Sequence, residues 1–218
     1  MGKIFLTRHG ETIWNTERRM QGHNNSPLSE LGMKQAEWLF DKLKDEQIDV
    51  VLSSPLGRAI QTSEVLIANR KLEVITVDEL KEINLGCWEG CISEVVEKDF
   101  PVEYHSFWNE PEKYVPIDGE SFLQLNERVT FFLNNVLVHY KNKNILIVAH
   151  AVVIKALLNA IETNGEISRL WEGSHIFPTS LSTLSYENDD IRINSIGDIS
   201  HYKEQLKRGW FAEEELEK

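Results

Sequence analysis

The sequence predicts an α/β fold, a three-layer α/β/α sandwich around a mostly parallel central sheet. Three observations carry that expectation. Short apolar runs alternate with helical patterns along the chain, as they do when helices cover both faces of a sheet. The strongest run, Asn144–Ala149, is almost wholly apolar, which suits a central parallel strand buried on both faces. The 218 residues contain no repeat and no Pro/Gly/Ser linker, so a single domain is expected over 1–202, followed by a charged tail over 203–218.

Taken in order, Ile4–Thr7 reads as the first strand. Ser29 opens a helix with Ala36, Leu39, Phe40 and Leu43 on one face. Val50–Ser53 is the second strand, and Pro55 is expected in the first turn of the next helix, where its missing N–H costs nothing. That helix turns Ala59, Ile60, Ser63 and Leu66 or Ile67 inward, and Val74–Val77 is a short strand. Residues 91–118 read as less regular, mixing Pro101, Pro111 and Pro116 with Tyr104, Phe107, Trp108 and Tyr114. After Gly119-Glu120-Ser121, a long helix spaces Phe122, Leu125, Val129, Phe132, Leu133 and Val136 along one side. A helix carrying Val152, Ala156, Leu157 and Ala160 follows the Asn144–Ala149 strand at once. Ser182–Tyr186 and Ile191–Ile196 form a late hairpin around Asn188-Asp189-Asp190.

Composition narrows the function classes. A hydrophobic fraction of 41% builds a sizeable core and excludes a disordered chain. With 23 Lys+Arg against 35 Asp+Glu, the net charge of −12 argues against nucleic-acid binding, which needs a basic face. A small anion needs only a local cluster. No apolar run approaches the length of a membrane span, and Met1–Thr7 shows no signal-peptide core. Leu6 stands where a myristoylation motif wants Ser or Thr. Cys87 and Cys91 cannot staple a secreted scaffold, so a cytoplasmic location is expected. Their spacing is not a standard zinc spacing, and no metal or cofactor is expected.

Three strand ends carry the chemistry. The first ends in Thr7-Arg8-His9-Gly10, the second runs through Ser53-Ser54-Pro55-Leu56-Gly57-Arg58, and the strongest ends in Ala149-His150. Ligands of open α/β sheets collect outside the carboxyl ends of strands. A lone His after a strand is usually satisfied locally, and an Arg at a helix start is usually on the surface. Two arginines and two histidines at three equivalent positions in an acidic chain call for a ligand. A tetrahedral anion, phosphate first, matches the arginine forks and the helix amino termini behind the strands. No P-loop, Gly-x-Ser-x-Gly elbow, His-Glu-x-x-His or dinucleotide fingerprint is present. The available nucleophile is therefore an imidazole. His9 has Arg8 beside it, which disfavours the imidazolium and keeps the ring neutral.

At these residues the sequence resembles the histidine phosphatase superfamily, with its phosphoglycerate-mutase-like fold, over about residues 3 to 202. The resemblance rests on Leu6-Thr7-Arg8-His9-Gly10-Glu11-Thr12, then Asn15, Arg19, Gln21 and Gly22, Ser26-Pro27-Leu28 and Leu31-Gly32. It continues through Ser53–Thr62, Leu80–Gly90, Gly119-Glu120-Ser121 and Val148-Ala149-His150. It implies that His9 becomes phosphorylated, and that Arg8, Arg58 and His150 hold the equatorial oxygens. Asn15, Gln21, Gly22 and Ala151 would line the phosphate pocket. Glu82 would protonate the leaving alkoxide and then activate water. Without the resemblance, Glu82 reads as a solvated charge and Asn15 as a turn residue.

Two positions depart from the family pattern. Ala151 replaces the usual Gly after the second His, so a positive φ there would be strained. Thr179, after Phe177-Pro178, stands where many relatives carry Asn, and a supporting hydrogen bond is expected to differ.

The apolar Ile83-Asn84-Leu85-Gly86 that follows Glu82 lacks the Arg and Tyr-Gly of the mutases. The pattern resembles the broad-specificity bacterial phosphatase branch, and implies a metal-independent phosphomonoesterase acting on small phosphorylated metabolites. Residues 91–118 would then form a cap over the site. A cofactor-dependent phosphoglycerate mutase and a non-catalytic phospholigand-binding module are the alternatives, the second disfavoured because no catalytic residue is missing. His201 is expected to be structural. His23, His105, His139 and His175 are expected on the surface or in loops, with His23 and His175 near the pocket.

Overall fold

The computed structural model describes residues 2–68, 70–187 and 190–204. Strands β1 (Gly2–Arg8), β2 (Val50–Ser53), β3 (Val74–Thr76), β4 (Ile145–Ala149), β5 (Leu181–Glu187) and β6 (Asp190–Asp198) form one sheet in the order β3-β2-β4-β1-β5-β6. β4 runs parallel to β1 and β2, and β2 runs parallel to β3. β5 is antiparallel to both β1 and β6, so the late hairpin closes one edge. Its turn, Asn188-Asp189, lies outside the described residues, as do residues 205–218 of the charged tail.

The two-residue period of the strands divides the core. Ile4, Leu6, Ile145, Ile147 and Ala149 face one apolar cluster, while Phe5, Leu146 and Val148 face the other. After the single-turn helix α1 (Ile13–Thr16), helices α2 (Glu30–Leu43) and α3 (Gly57–Ile67) supply the second cluster with Leu39, Leu43, Ala59 and Leu66. Helices α6 (Phe122–Phe131) and α7 (Ala151–Thr163) supply the first. The sandwich is the predicted mostly parallel α/β/α arrangement.

Local chemistry explains most element ends. Ser29 caps α2 by accepting the Gly32 N–H, and Ser121 with Gln124 forms a capping box on α6. Pro55 departs from expectation. It precedes the cap residue Leu56, and α3 starts only at Gly57, because Ser54 Oγ takes the Leu56 N–H and holds the chain in a bend. Leu66, rather than Ile67, is the fully buried member of that turn.

The region 91–118 is also more ordered than its prolines suggest. It contains α4 (Ser93–Asp99), α5 (Pro101–Asn109) and a single 3₁₀ turn over Pro111–Lys113. Pro101 and Pro111 each stand at the start of a helix, where no N–H is required. The long helix predicted after Ser121 ends as α at Phe131 and continues as a π turn, Phe132–Val136, and a 3₁₀ turn, Leu137–Tyr140. That rewinding buries Phe132 and Leu137 and leaves Leu133 and Val136 only partly covered. Among the described residues no helix is long and apolar enough to cross a membrane.

Candidate active site

Strand register assembles the site. Arg8 pairs with Ala149 across β1 and β4, so the next residues, His9 and His150, emerge side by side with ring centroids 5.1 Å apart. Ser53 pairs with Val148 across β2 and β4, which brings Ser54 to His150 and leads the chain into Arg58 at the start of α3. The Gly10 N–H donates to Thr62 Oγ1 on α3 at 3.0 Å. Gly10 itself packs on the first turn of α2, where a Cβ would meet the Gly32 carbonyl oxygen at 2.5 Å.

The hydrogen bonds fix both tautomers. His9 Nδ1 lies 2.7 Å from the Gly10 carbonyl oxygen, which can only accept, so Nδ1 carries the proton and Nε2 keeps its lone pair. Arg58 Nε donates toward His9 Nε2 at 3.3 Å and toward His150 Nδ1 at 3.2 Å. His150 Nε2 therefore carries its proton and donates to Ser54 Oγ at 2.7 Å. Burial, reinforced by Arg58 and Arg8, holds His9 well below the usual imidazole range. Burial and Arg58 do the same to His150. Both rings are neutral.

The arginines are held by carbonyls rather than carboxylates. Arg58 is only 1% exposed; its Nη1 donates to the Asn24 oxygen and its Nη2 to the Gly22 oxygen, both at 2.7 Å. Burial draws its pKa down to about 10. Arg8 Nη1 donates to the Ile176 oxygen at 2.9 Å, and its buried Nε–H has no protein partner. None of the ion pairs among the described residues involves Arg8 or Arg58. Glu82 and Glu89 offset part of this charge from a distance, yet two desolvated cations with no carboxylate in direct contact still favour an anion.

The loop that holds Arg58 is itself draped on a carboxylate. Glu89 accepts the His23 N–H at 2.8 Å, the Asn24 N–H at 2.9 Å and the Leu85 N–H at 3.2 Å. Gly22 adopts a φ of 51°, and a Cβ there would lie 2.2 Å from Glu89 Oε1. Asn15 closes a capping box with Thr12 through Oδ1 and lines the cavity, so it is at once a turn residue and a wall of the site. Gln21 lines the cavity beside it. The part played by Glu89 escapes sequence reasoning, because an acid that binds only backbone N–H groups has no charged partner to suggest it.

Glu82 stands across the cavity, half-buried, with its carboxylate at the amino terminus of α7. It accepts from the Val152 and Val153 N–H groups at 3.4 and 3.3 Å and from its neighbour Ile83 at 3.0 Å. Ala151 is the first residue of α7 and has helical geometry, so the anticipated strain is absent there. The left-handed residue is Thr179, with a φ of 52°. Its N–H donates to the Arg8 oxygen at 3.1 Å, and its hydroxyl lies 3.4 Å from His201 Nε2.

The cavity, of about 730 Å³, is lined by Arg8, His9, Arg58 and Glu82. Tyr104, Phe107 and Trp108 of α5, with Trp171, add an apolar part of the lining. Trp171 Nε1 donates to the Phe107 oxygen at 2.6 Å, tying α5 to the loop after α7. His175 lines the cavity as expected; His105 is exposed, as expected for a surface or loop residue, and also borders the cavity. His23 donates from Nε2 to the Glu82 carbonyl oxygen at 2.9 Å, and His139 is exposed. His201 is buried, which lowers its pKa to about 4.

Comparison with known proteins agrees with this architecture. The chain is 36% identical over 171 residues to phosphoserine phosphatase 1 of Hydrogenobacter thermophilus, covering 78% of this chain and 81% of that one. It is 33% identical over 206 residues to phosphoglycerate mutase-like protein 4 of Arabidopsis thaliana, covering 93% and 87%. The solved structure of Bacillus stearothermophilus YhfR superposes with a TM-score of 0.88 at 32% identity, covering 92% and 99%. The model of the histidine phosphatase superfamily, branch 1, matches residues 4–199, and this chain belongs to that family.

Proposed function

We propose that this chain hydrolyses phosphomonoesters through a phosphohistidine formed on His9. The observation that carries the reading is the neutral His9, whose Nε2 lone pair faces the buried Arg58 guanidinium with Arg8 close by, neither arginine being in an ion pair. His9 Nε2 attacks phosphorus in line with the ester oxygen. The N–P bond forms, the P–O bond breaks, and the Glu82 carboxyl gives its proton to the departing alkoxide. Arg8, Arg58 and His150 receive the equatorial oxygens, where the transition-state charge accumulates. A dianion beside His150 favours protonation at Nδ1, so that this ring donates as well. Water then attacks phosphorus and gives a proton to Glu82; the new O–P bond forms as the N–P bond breaks, the electron pair returns to His9 Nε2, and inorganic phosphate leaves.

Hydrolysis is favoured over transfer to a second substrate by the segment beside Glu82. Ile83 and Leu85 are buried and apolar, so this segment presents no cation to a substrate carboxylate. The phosphoserine phosphatase among the relatives supports the same reading. We read α4 and α5 as a cap whose Tyr104, Phe107 and Trp108 contact the alcohol portion through apolar surface, consistent with loose specificity for small phosphorylated metabolites.

Rapid-quench labelling with a ³²P-phosphomonoester, in the presence of chelator, tests the reading. Acid-labile, base-stable label on the wild type and its absence from His9→Ala are expected. Full turnover by His9→Ala, or no turnover with chelator present, would overturn it.

A further inference from the structure

Glu82 lies between two short 3₁₀ turns, Asp78–Leu80 and Gly86–Trp88, in a stretch without helical or sheet hydrogen bonding. No regular ladder fixes its backbone. Side chains do so instead: His23 Nε2 donates to the Glu82 oxygen at 2.9 Å, and a second, linked set of bonds comes from Arg128 and Glu120. Arg128, on α6, donates from Nη1 to the Glu79 oxygen at 2.7 Å and from Nη2 to the Glu82 oxygen at 3.2 Å. The same guanidinium forms a bidentate pair with Glu120, Nε to Oε1 at 2.6 Å and Nη2 to Oε2 at 2.8 Å. Glu120 in turn accepts the Asn84 N–H at 3.2 Å, and its own N–H donates to the Asn84 oxygen at 2.7 Å.

We infer that the Arg128–Glu120 pair positions Glu82 for proton transfer, an inference that rests on the reading of Glu82 as proton donor. The pair grips the chain at Glu79, Glu82 and Asn84, on both sides of the acid and at the acid itself. Its side chains are only 21% and 15% exposed, so the geometry is held in a partly desolvated setting rather than averaged by solvent. Arg128 is not among the residues that line the cavity, which makes it a positioning residue rather than a catalytic one. A fixed fork is required because one side chain must satisfy two carbonyls and a carboxylate together. Lysine, with a single nitrogen on a flexible stem, cannot span them.

The test compares two esters. Departure of p-nitrophenolate needs little help from an acid, whereas departure of an alkoxide needs a proton. kcat/KM reports the step in which the leaving group departs. Arg128→Lys is expected to lower kcat/KM about 10-fold for an alkyl phosphate and less than about 2-fold for p-nitrophenyl phosphate, part of the full effect of an acid catalyst. Vanadate affinity is expected to hold, because Arg8, Arg58 and His150 are untouched. Glu120→Gln is expected to show the same discrimination. Equal losses on both esters, a parallel loss of vanadate affinity, or no change at all would each overturn the inference. Glu82→Gln separates the two levels. If it discriminates between the esters and Arg128→Lys does not, only the positioning role falls; if Glu82→Gln does not discriminate, the proton-donor reading falls and takes this inference with it.

Discussion

Arg58 Nε sits 3.3 Å from His9 Nε2 and aims its N–H at the lone pair of that nitrogen. Burial, with this guanidinium beside it, keeps the imidazole neutral, and under the proposed function the same N–H would pass to a ligand oxygen when an anion enters. The same residue would serve the ring and the oxyanion, and its two terminal nitrogens are held by the Asn24 and Gly22 backbone oxygens.

An oxyanion should therefore stabilise the folded protein. Orthovanadate at about 100 times its Kd is expected to add about 2.7 kcal/mol, raising Tm by roughly 5–10 °C for a chain of this size. Arg58→Ala should lose that shift. Differential scanning calorimetry with and without vanadate measures it, and an undiminished shift in the variant would contradict the site.

Stability should decline in mildly acidic solution, before carboxylates titrate. His9, His150 and His201 are all held below the ordinary value of 6.5, so the unfolded chain binds protons that the folded chain refuses. Their contribution is complete above pH 6.5 and is lost as pH falls from there, with His201 titrating in the folded state only at about 4. Each ring adds up to about 1.4 kcal/mol per pH unit to the slope. Urea unfolding between pH 7.5 and 5 checks this; a flat profile would refute it.

Thr179→Asn should stabilise the protein. A β-branched residue at a φ of 52° is strained, whereas Asn tolerates the left-handed region. A gain of about 1 kcal/mol is expected, or roughly 2–4 °C in Tm. Ala151→Gly should do the reverse, losing about 0.5–1 kcal/mol, because Ala151 occupies an ordinary helical position. Thermal melts of both variants decide the matter.

Glu89→Gln should weaken oxyanion binding without touching the ligand. Three N–H groups converge on the Glu89 carboxylate, and an amide turns two donors of its own toward them. The Gly22 and Asn24 oxygens then lose their orientation toward Arg58. A fall in kcat/KM of about 10- to 100-fold is expected, with vanadate affinity falling in parallel. Unchanged vanadate affinity would show that the loop holds Arg58 without Glu89.

How much of this was legible beforehand differs from element to element. Strands β1, β2 and β4 could be read because each holds a short apolar run, and β4 stood out because both its faces are covered. Arg8, His9, Arg58 and His150 could be gathered on one edge because each directly follows a strand or opens the next helix, so topology alone brings them near. Residues 91–118 read as less regular, yet Pro101 and Pro111 begin helical segments there, which hides the order from a reading by composition. Pro55 erred the other way, since a side chain of Ser54 delayed the helix by two residues.

Local patterns, then, carried the sheet, the order of its helices and the identity of the cationic cluster, because periodicity and strand ends are properties of neighbouring residues. What the chain written out as letters could not convey is the support behind that cluster. Glu89 reaches across 65 residues to the Asn24 N–H, and Arg128 reaches across 46 to the Glu82 oxygen. Thr179 takes its left-handed turn to meet Arg8, in a distant strand. Side chains that bond to backbone N–H and C=O groups leave no complementary residue to find, so their partners emerge only when folding closes the distance.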